Sequence, residues 1–263
     1  MARPVIALLT DFGMRDHYVG ALKGVALGIC PDVTLVDISH DVPAHDVAAG
    51  ALELAAVYRY FPSGTIFLVV VDPGVGSSRR GIAMETADYK FVAPDNGVLT
   101  PIVDAHPPRR VVELSERKYA RPTVSRTFEG RDRFAPAAAW LAKGVDLAAL
   151  GRTAGAIHRL ELPRPHVEPS GITGEVVRVD HFGNLITNID RRAFEALTRE
   201  PVEIRAGVHP VSRLVSTYAD APPGEICALF GSTDHLEIAV NGASAAERLA
   251  LTRGAAVQVV RRA

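Results

Sequence analysis

Residues 66–71 read IFLVVV, six apolar residues with no polar interruption. A run this short, without polar alternation, fits a strand buried on both faces. Such a strand needs covering layers on both sides of its sheet. Residues 4–10 (PVIALLT) and 32–39 (DVTLVDIS) supply two more strands. Between the strands, residues 17–30 (HYVGALKGVALGIC) and 46–61 (DVAAGALELAAVYRYF) show helical spacing, the second closed by Pro62 and Gly64. Residues 81–86 and 89–95 pair as a hairpin, and 131–144 read as a further helix, with Asp132 near its start and Gly144 at its end. Strands alternating with helices predict an α/β fold, a mostly parallel sheet flanked by helices.

The texture changes after Gly151. Residues 160–171 (LELPRPHVEPSG) hold three prolines and read as a linker. Beyond them come short strand-like segments: ITGEVVRVD, NLITNI, PVEIRA, EICALFG, HLEIAV and AAVQVVRR, with one helical stretch, ASAAERLAL. That pattern predicts a smaller antiparallel β-barrel domain. The expected organisation is an N-terminal domain over 1–162, a linker over 163–171 and a C-terminal domain over 172–263.

Composition narrows the function classes. A hydrophobic fraction of 48% with 22% charged residues suits a globular core. The net charge of -1 offers no broad basic field, so nucleic acid is not an expected partner. Cys30 and Cys227 are the two cysteines, too few for a disulfide framework and without metal-binding spacing. The first ten residues lack a secretory signal, and no apolar run approaches the ~20 residues of a membrane span. The expectation is a cytoplasmic protein.

Three acids stand at predicted strand ends, where α/β sheets bind their ligands: Asp11, Asp72 and Asp95. Singly, each reads as a cap or turn former; together around glycine turns they point to a site. Asp72 opens a tight loop, DPGVGSSRR, that lacks the lysine and spacing of a phosphate cradle. Its glycines let the chain turn sharply at the site, and Asp72 and Arg79 share this one tight loop. Residues 39–46 (SHDVPAHD) allow a metal site, but adjacent His40 and Asp41 share an ion poorly, and Asp46 stands where a helix cap is wanted. In residues 179–189 (VDHFGNLITNI), Asp180, His181 and Asn184 either form a turn or serve a ligand's hydroxyls and amine.

Read in order, LLTDFG, DHYVGALKG, ISHDVPAHD, VVVDPGVGSSRR, FVAPDNGVLT, TFEGRDRFAPAAAWLAKG, VDHFGNLITNI and GSTDHLEIAVNGASA resemble the S-adenosyl-L-methionine hydroxide adenosyltransferases, relatives of the fluorinase and chlorinase. The resemblance spans about residues 5–260. It implies an N-terminal α/β domain, a C-terminal β-barrel, and a homotrimer with active sites between neighbouring subunits. It also implies hydrolysis of S-adenosylmethionine to adenosine and L-methionine, with no metal or redox cofactor. The alternatives are a halide-using enzyme on this scaffold and a binding protein without turnover.

The resemblance places Asp72 and Arg79 with the attacking water; the halide-using relatives carry tyrosine in place of Asp72. A carboxylate repels a halide yet holds a water, and Arg79 beside it is expected to keep Asp72 ionised. Glu129 stands where the hydrolase pattern usually has histidine, placed to grip Arg79 and add negative charge. Gly130 stands where the fluorinase has a halide-holding serine. For the substrate, the resemblance implies Asp11 at the ribose hydroxyls, Asp16, His17 and Tyr18 along the ligand, and Asp180 and Asn184 at the amino-acid end. Ser232, Val240, Asn241 and Gly242 match the stretch around the methionine carboxylate and adenine edge. Arginines of the fluorinase are replaced by Thr233 and Val240. Tyr218 and Phe182 offer surfaces either for stacking adenine or for core packing.

Overall fold

The computed structural model describes residues 3–197 and 202–261. Pro201, expected to open a strand, and the outer ends of both expected domains lie outside these residues. Contacts divide the chain into two units, residues 1–161 and 162–263.

The N-terminal unit begins β1 (Val5–Thr10), α1 (Tyr18–Ile29), β2 (Thr34–Ser39), α2 (Val47–Val57) and β3 (Ile66–Val70). The hairpin β4 (Gly81–Glu85) and β5 (Lys90–Pro94) follows, then α3 (Thr100–Ala105), β6 (Arg110–Glu113) and α4 (Ala135–Ala142). The six strands form one sheet in the order β2-β1-β3-β5-β4-β6. The first four are mutually parallel, while β4 runs antiparallel to both neighbours.

The unbroken apolar runs are explained by two cores. Ile6, Leu8, Leu68 and Val70 face one side and pack with Leu22 of α1 and Ala135 and Ala138 of α4. Ala7, Leu9, Phe67, Val69 and Val71 face the other, with Ala51 and Leu54 of α2 and Ile102 of α3. With a side-chain period of two, a strand covered on both faces has no place for polar residues.

Two local expectations are corrected. Asp132 does not cap α4. It is fully buried inside a π-helical turn, Gly130–Phe134, that precedes the helix. Its carboxylate accepts from Arg131 Nε at 2.7 Å and from the Ser125 amide at 2.8 Å. Asp95 ties the chain together: its Oδ1 accepts from the His158 amide at 2.8 Å, and its Oδ2 from Arg80 Nε at 2.9 Å. Gly144, at φ +94°, follows α4, and Asp46 caps α2 by accepting from the Ala49 amide at 2.9 Å.

In the C-terminal unit the proline-rich stretch contributes a strand, β7 (His166–Glu168), paired with β8 (Gly171–Val179). Then come β9 (Leu185–Asp190), α5 (Arg191–Leu197), β10 (Val202–Ala206), β11 (His209–Val211), β12 (Ile226–Phe230), β13 (His235–Val240), α6 (Ala245–Leu249) and β14 (Ala256–Arg261). The order β11-β10-β14-β8-β9-β13-β12 is antiparallel throughout and nearly closes into a barrel. Its interior is filled by residues such as Ile172, Val176, Leu185, Leu236, Ile238 and Val257. No helix of the described residues is long and apolar enough to cross a membrane.

Candidate active site

At the carboxyl ends of β1 and β3, the N-terminal unit holds a cavity of about 290 Å³. Asp11, Tyr18, Asp72, Glu129 and Gly130 all line it. Its apolar wall comes from Phe12, Val70, Val75 and Phe128, which the motif reading missed. Tyr18 packs against the rings of Phe12 and Phe128 with centroids 5.8 and 5.1 Å away. Phe12 and Phe128 flank the motif acids in sequence, and that flanking was the one available signal. Asp16 and His17 are exposed at the start of α1 and do not line the cavity.

The loop after β3 does what its composition requires. Val75 N–H donates to the Asp72 carbonyl, and the Ser77 hydroxyl to the Gly74 carbonyl at 2.6 Å. Gly76 sits at φ +78°, and a Cβ there would collide with the Arg126 carbonyl oxygen. The loop thereby returns Arg79 to Asp72. Arg79 Nε donates to Asp72 Oδ1 at 2.7 Å and Nη2 to Asp72 Oδ2, the bidentate fork of a guanidinium on a carboxylate. Arg79 Nη2 also donates to Glu129 Oε2 at 2.6 Å, while Phe134 lies beneath the guanidinium. Glu129 Oε1 accepts from Arg133 Nη1 at 3.2 Å, and Arg133 Nη2 donates to the Leu114 carbonyl at 2.9 Å. Arg133 was missed in the motif reading; its spacing of four from Glu129 was the available clue.

Burial and charge pull on the Asp72 carboxyl in opposite directions. The Asp72 side chain is only 5% exposed. Burial pushes its carboxyl above the usual range; the hydrogen bonds and charge of Arg79 oppose the shift, and the Glu129 charge adds to it. Arg79 is shared by two acids, and its pull on Asp72 is outweighed first by burial.

Asp11 ends β1 on the same cavity, and its Oδ2 accepts from the His45 amide at 2.9 Å. His45 adopts a left-handed φ of +67° to present that amide. The backbone on either side is fixed through buried His40. Its Nδ1 meets the Thr10 hydroxyl at 2.8 Å, and its carbonyl accepts from the Gly13 amide at 2.7 Å.

The C-terminal unit holds its own cavity of about 600 Å³. Asp180, Asn184, Phe182, Tyr218 and Ser232 line it, as do Val240 and Gly242. Asp180 Oδ1 accepts from the amides of Phe182 and Asn184, at 2.9 and 2.8 Å, and its Oδ2 from Asn184 Nδ2 at 3.0 Å. The turn reading of this segment thus holds, and the same residues face the cavity. Asn241 is turned away, its Nδ2 donating to the Ala221 carbonyl at 2.6 Å. Arg178 and Glu237, missed in the motif reading, also line this cavity. Glu237, a charge inside the apolar HLEIAV strand, was the signal. It is 5% exposed and accepts from the Tyr218 hydroxyl at 2.8 Å. Burial raises both groups above their usual ranges. Among the described residues, no group of three or more histidines, cysteines or acids is arranged to hold a metal ion.

A mixed α/β unit ending its parallel strands on a carboxylate–guanidinium pair, followed by a polar-pocketed β-barrel, has a match in sequence. The N-terminal and C-terminal domain models of the S-adenosylmethionine (SAM) hydroxide adenosyltransferases match residues 6–151 and 174–258, and the chain belongs to that family. It is 40% identical over 259 residues to the (R)-S-adenosyl-L-methionine hydrolase of Salinispora tropica, covering 97% of each chain. It is 38% identical to the hydrolase of the same name from Thermus thermophilus, covering 98% of this chain and all of the other. The fluorinase of Nocardia brasiliensis is 33% identical, covering 98% of this chain and 97% of its own. A solved structure of an uncharacterized conserved protein from Thermotoga maritima matches with a TM-score of 0.93 at 37% identity, covering 97% of this chain and 100% of that one.

Proposed function

We propose that the chain hydrolyses S-adenosylmethionine to adenosine and L-methionine by attack of water at C5′. The observation that carries this reading is the Asp72–Arg79 pair at the wall of an aromatic-lined cavity that also presents Asp11. The water oxygen forms a bond to C5′ as the C5′–S bond breaks. Its electron pair goes to sulfur, which leaves as the neutral thioether of methionine. Asp72 accepts a hydrogen bond from the water and receives the proton released. Arg79 fixes the carboxylate, and Glu129 grips Arg79 from its other side.

Positive charge on sulfur disappears as the bond breaks, so the apolar wall of Phe12, Tyr18 and Phe128 favours the transition state over the charged substrate. A neutral leaving group needs no Lewis acid, and the proposed reaction is therefore metal-independent. Asp11 takes the ribose hydroxyls. Asp180 and Asn184 take the amino-acid end, with Ser232, Val240 and Gly242 beside it. The proposed working form is a cytoplasmic homotrimer, in which each site is completed by residues from neighbouring subunits.

Asp72 also argues against a halide as nucleophile, because a carboxylate at the attack position repels it. The test is incubation of purified protein with S-adenosylmethionine, with and without chloride or fluoride and with a chelator, following nucleosides by chromatography. Adenosine released at equal rates in all arms is expected. A 5′-halogenated nucleoside, chelator-sensitive turnover, or binding without adenosine each overturns a stated part of the proposal.

A further inference from the structure

We propose that Arg133 is a positioning residue for Asp72, acting through Glu129 and Arg79. The proposal rests on the hydrolytic reading of the same cavity and deepens it.

Four side chains form one line of alternating charge. Arg79 donates to both oxygens of Asp72, Arg79 Nη2 also donates to Glu129 at 2.6 Å, and Arg133 donates to Glu129 at 3.2 Å. Without Arg133 the remaining three would carry two acids on one guanidinium. An acid relying on Arg79 alone would compete with Asp72 for it. Arg133 supplies the second cation, so the chain Asp72–Arg79–Glu129–Arg133 sums to zero and Arg79 keeps its fork on Asp72.

Arg133 is itself fixed at its other nitrogen by the Leu114 carbonyl at 2.9 Å, so it presents Nη1 to Glu129 from a set position. Its neighbour Arg131 is committed elsewhere. Arg131 donates twice to buried Asp132 and lies over the Phe128 ring at 5.0 Å. Glu129 lines the cavity, Arg133 reaches it from four residues on within the π-helical turn, and Asp132 between them in sequence is buried. The other charged or titratable groups facing Asp72 across the cavity are Asp11 from the end of β1, His45 from the loop after β2 and Tyr18 from α1. None of the three is hydrogen-bonded to the four-residue line among the contacts described above.

The line also bears on Asp72, whose direction is set first by burial. Burial raises its carboxyl, Arg79 works against that, and the Glu129 charge pushes it further up. Loss of Arg133 leaves that Glu129 charge without its second partner. The Asp72 carboxyl is then expected to titrate at higher pH.

The test compares wild type, Arg133→Gln, Arg133→Lys, Glu129→Gln and the double variant Glu129→Gln/Arg133→Gln. The first readout is the carbon-13 titration of the Asp72 carboxyl in substrate-free protein, assigned by its absence in Asp72→Asn. The second is the acid limb of kcat/KM for adenosine release. Arg133→Gln is expected to move both upward together, and Arg133→Lys to restore most of the shift. In the Glu129→Gln background, adding Arg133→Gln is expected to move them by less than a third as much.

An equal shift in both backgrounds overturns the relay, since Arg133 then acts on Asp72 directly. A fall in kcat with no shift overturns it too, leaving Arg133 a scaffold for the Leu114 segment. If wild type releases no adenosine, the hydrolytic reading fails, while the carbon-13 titration still decides the coupling. Arg133→Lys keeps the charge, so it remains informative should Arg133→Gln fail to fold.

Discussion

Replacing Asp72 with asparagine keeps the size of the side chain and removes its charge. Two consequences can be separated because Arg79 has two acidic partners. For stability, a buried guanidinium losing its only partner would cost about 3–5 kcal/mol. Here Arg79 keeps Glu129 at 2.6 Å and the Arg80 carbonyl at 3.2 Å, and the asparagine oxygen still accepts one bond. The expected loss is therefore smaller, about 1–2 kcal/mol. Part of even that loss is offset, because burial already disfavours the Asp72 charge.

For catalysis nothing offsets the change. The amide cannot take a proton from water, and a positioned base contributes about 10²–10⁴-fold, or roughly 3–5 kcal/mol of barrier. The substrate's contacts lie elsewhere in this reading, on Asp11 and in the C-terminal cavity, so KM is expected to stay within about threefold, as for a contact used only in the transition state. Initial rates of adenosine release against substrate concentration, with thermal melts on the same samples, give all three quantities. A kcat within tenfold of wild type refutes the reasoning, as does a loss in kcat/KM carried mainly by KM. Either result makes Asp72 a structural or binding residue.

Gly76→Ala forces a side chain into φ +78° and against the Arg126 carbonyl. It is expected to lower stability by about 1–3 kcal/mol and to reduce kcat by releasing the Arg79 loop, as melts and rates would show; unchanged values of both count against the loop argument. Tyr218→Phe removes the donor to buried Glu237. A severalfold rise in KM with kcat nearly unchanged is expected, and a selective fall in kcat would place Tyr218 in the chemistry instead. For Asp132, burial works to raise the carboxyl, but Arg131, the Ser125 amide and the charge of Arg121 together hold it below the usual range. A depressed acid contributes stability above its unfolded pKa and loses it as pH falls toward the folded one. The stability difference between wild type and Asp132→Asn, measured by denaturant titration, should therefore be largest near neutrality and shrink at strongly acid pH; a difference that grows on acidification contradicts the assignment.

The sequence carried the sheet well because the signal was local. A strand covered on both faces is apolar at every position, as residues 66–71 are, and no distant partner is needed to see it. Asp72 and Arg79 were legible for the same reason: only six residues lie between them, five of them the turn formers Pro73, Gly74, Gly76, Ser77 and Ser78. Asp95 and Asn241 were less legible. Asp95 stands at a strand end as Asp11 does, but it is spent on the Arg80 side chain and on the backbone amide of His158, 63 residues away. Asn241 sits in a matching motif but is spent on Ala221. The strand β7 hid among prolines because its pairing with β8 is a three-residue edge contact, which prolines beside it do not forbid. Asp132 looked like a cap because it opens an apolar helical run, and only the π-helical turn reveals that it points inward.

That turn also explains why Glu129 could be noticed but not understood from the sequence. As a substitution for histidine it read as an added negative charge placed to grip Arg79, with no second partner in view. Its second partner is Arg133, four residues on, whose Nη1 donates to Glu129 at 3.2 Å while Asp132 between them in sequence is buried. A buried acid is tolerated where a cation answers it, so the glutamate at this position and the arginine four residues on form a single feature of the site. A histidine at position 129 would leave Arg133 without a carboxylate to answer, and the two positions have to be varied together for either to be interpreted.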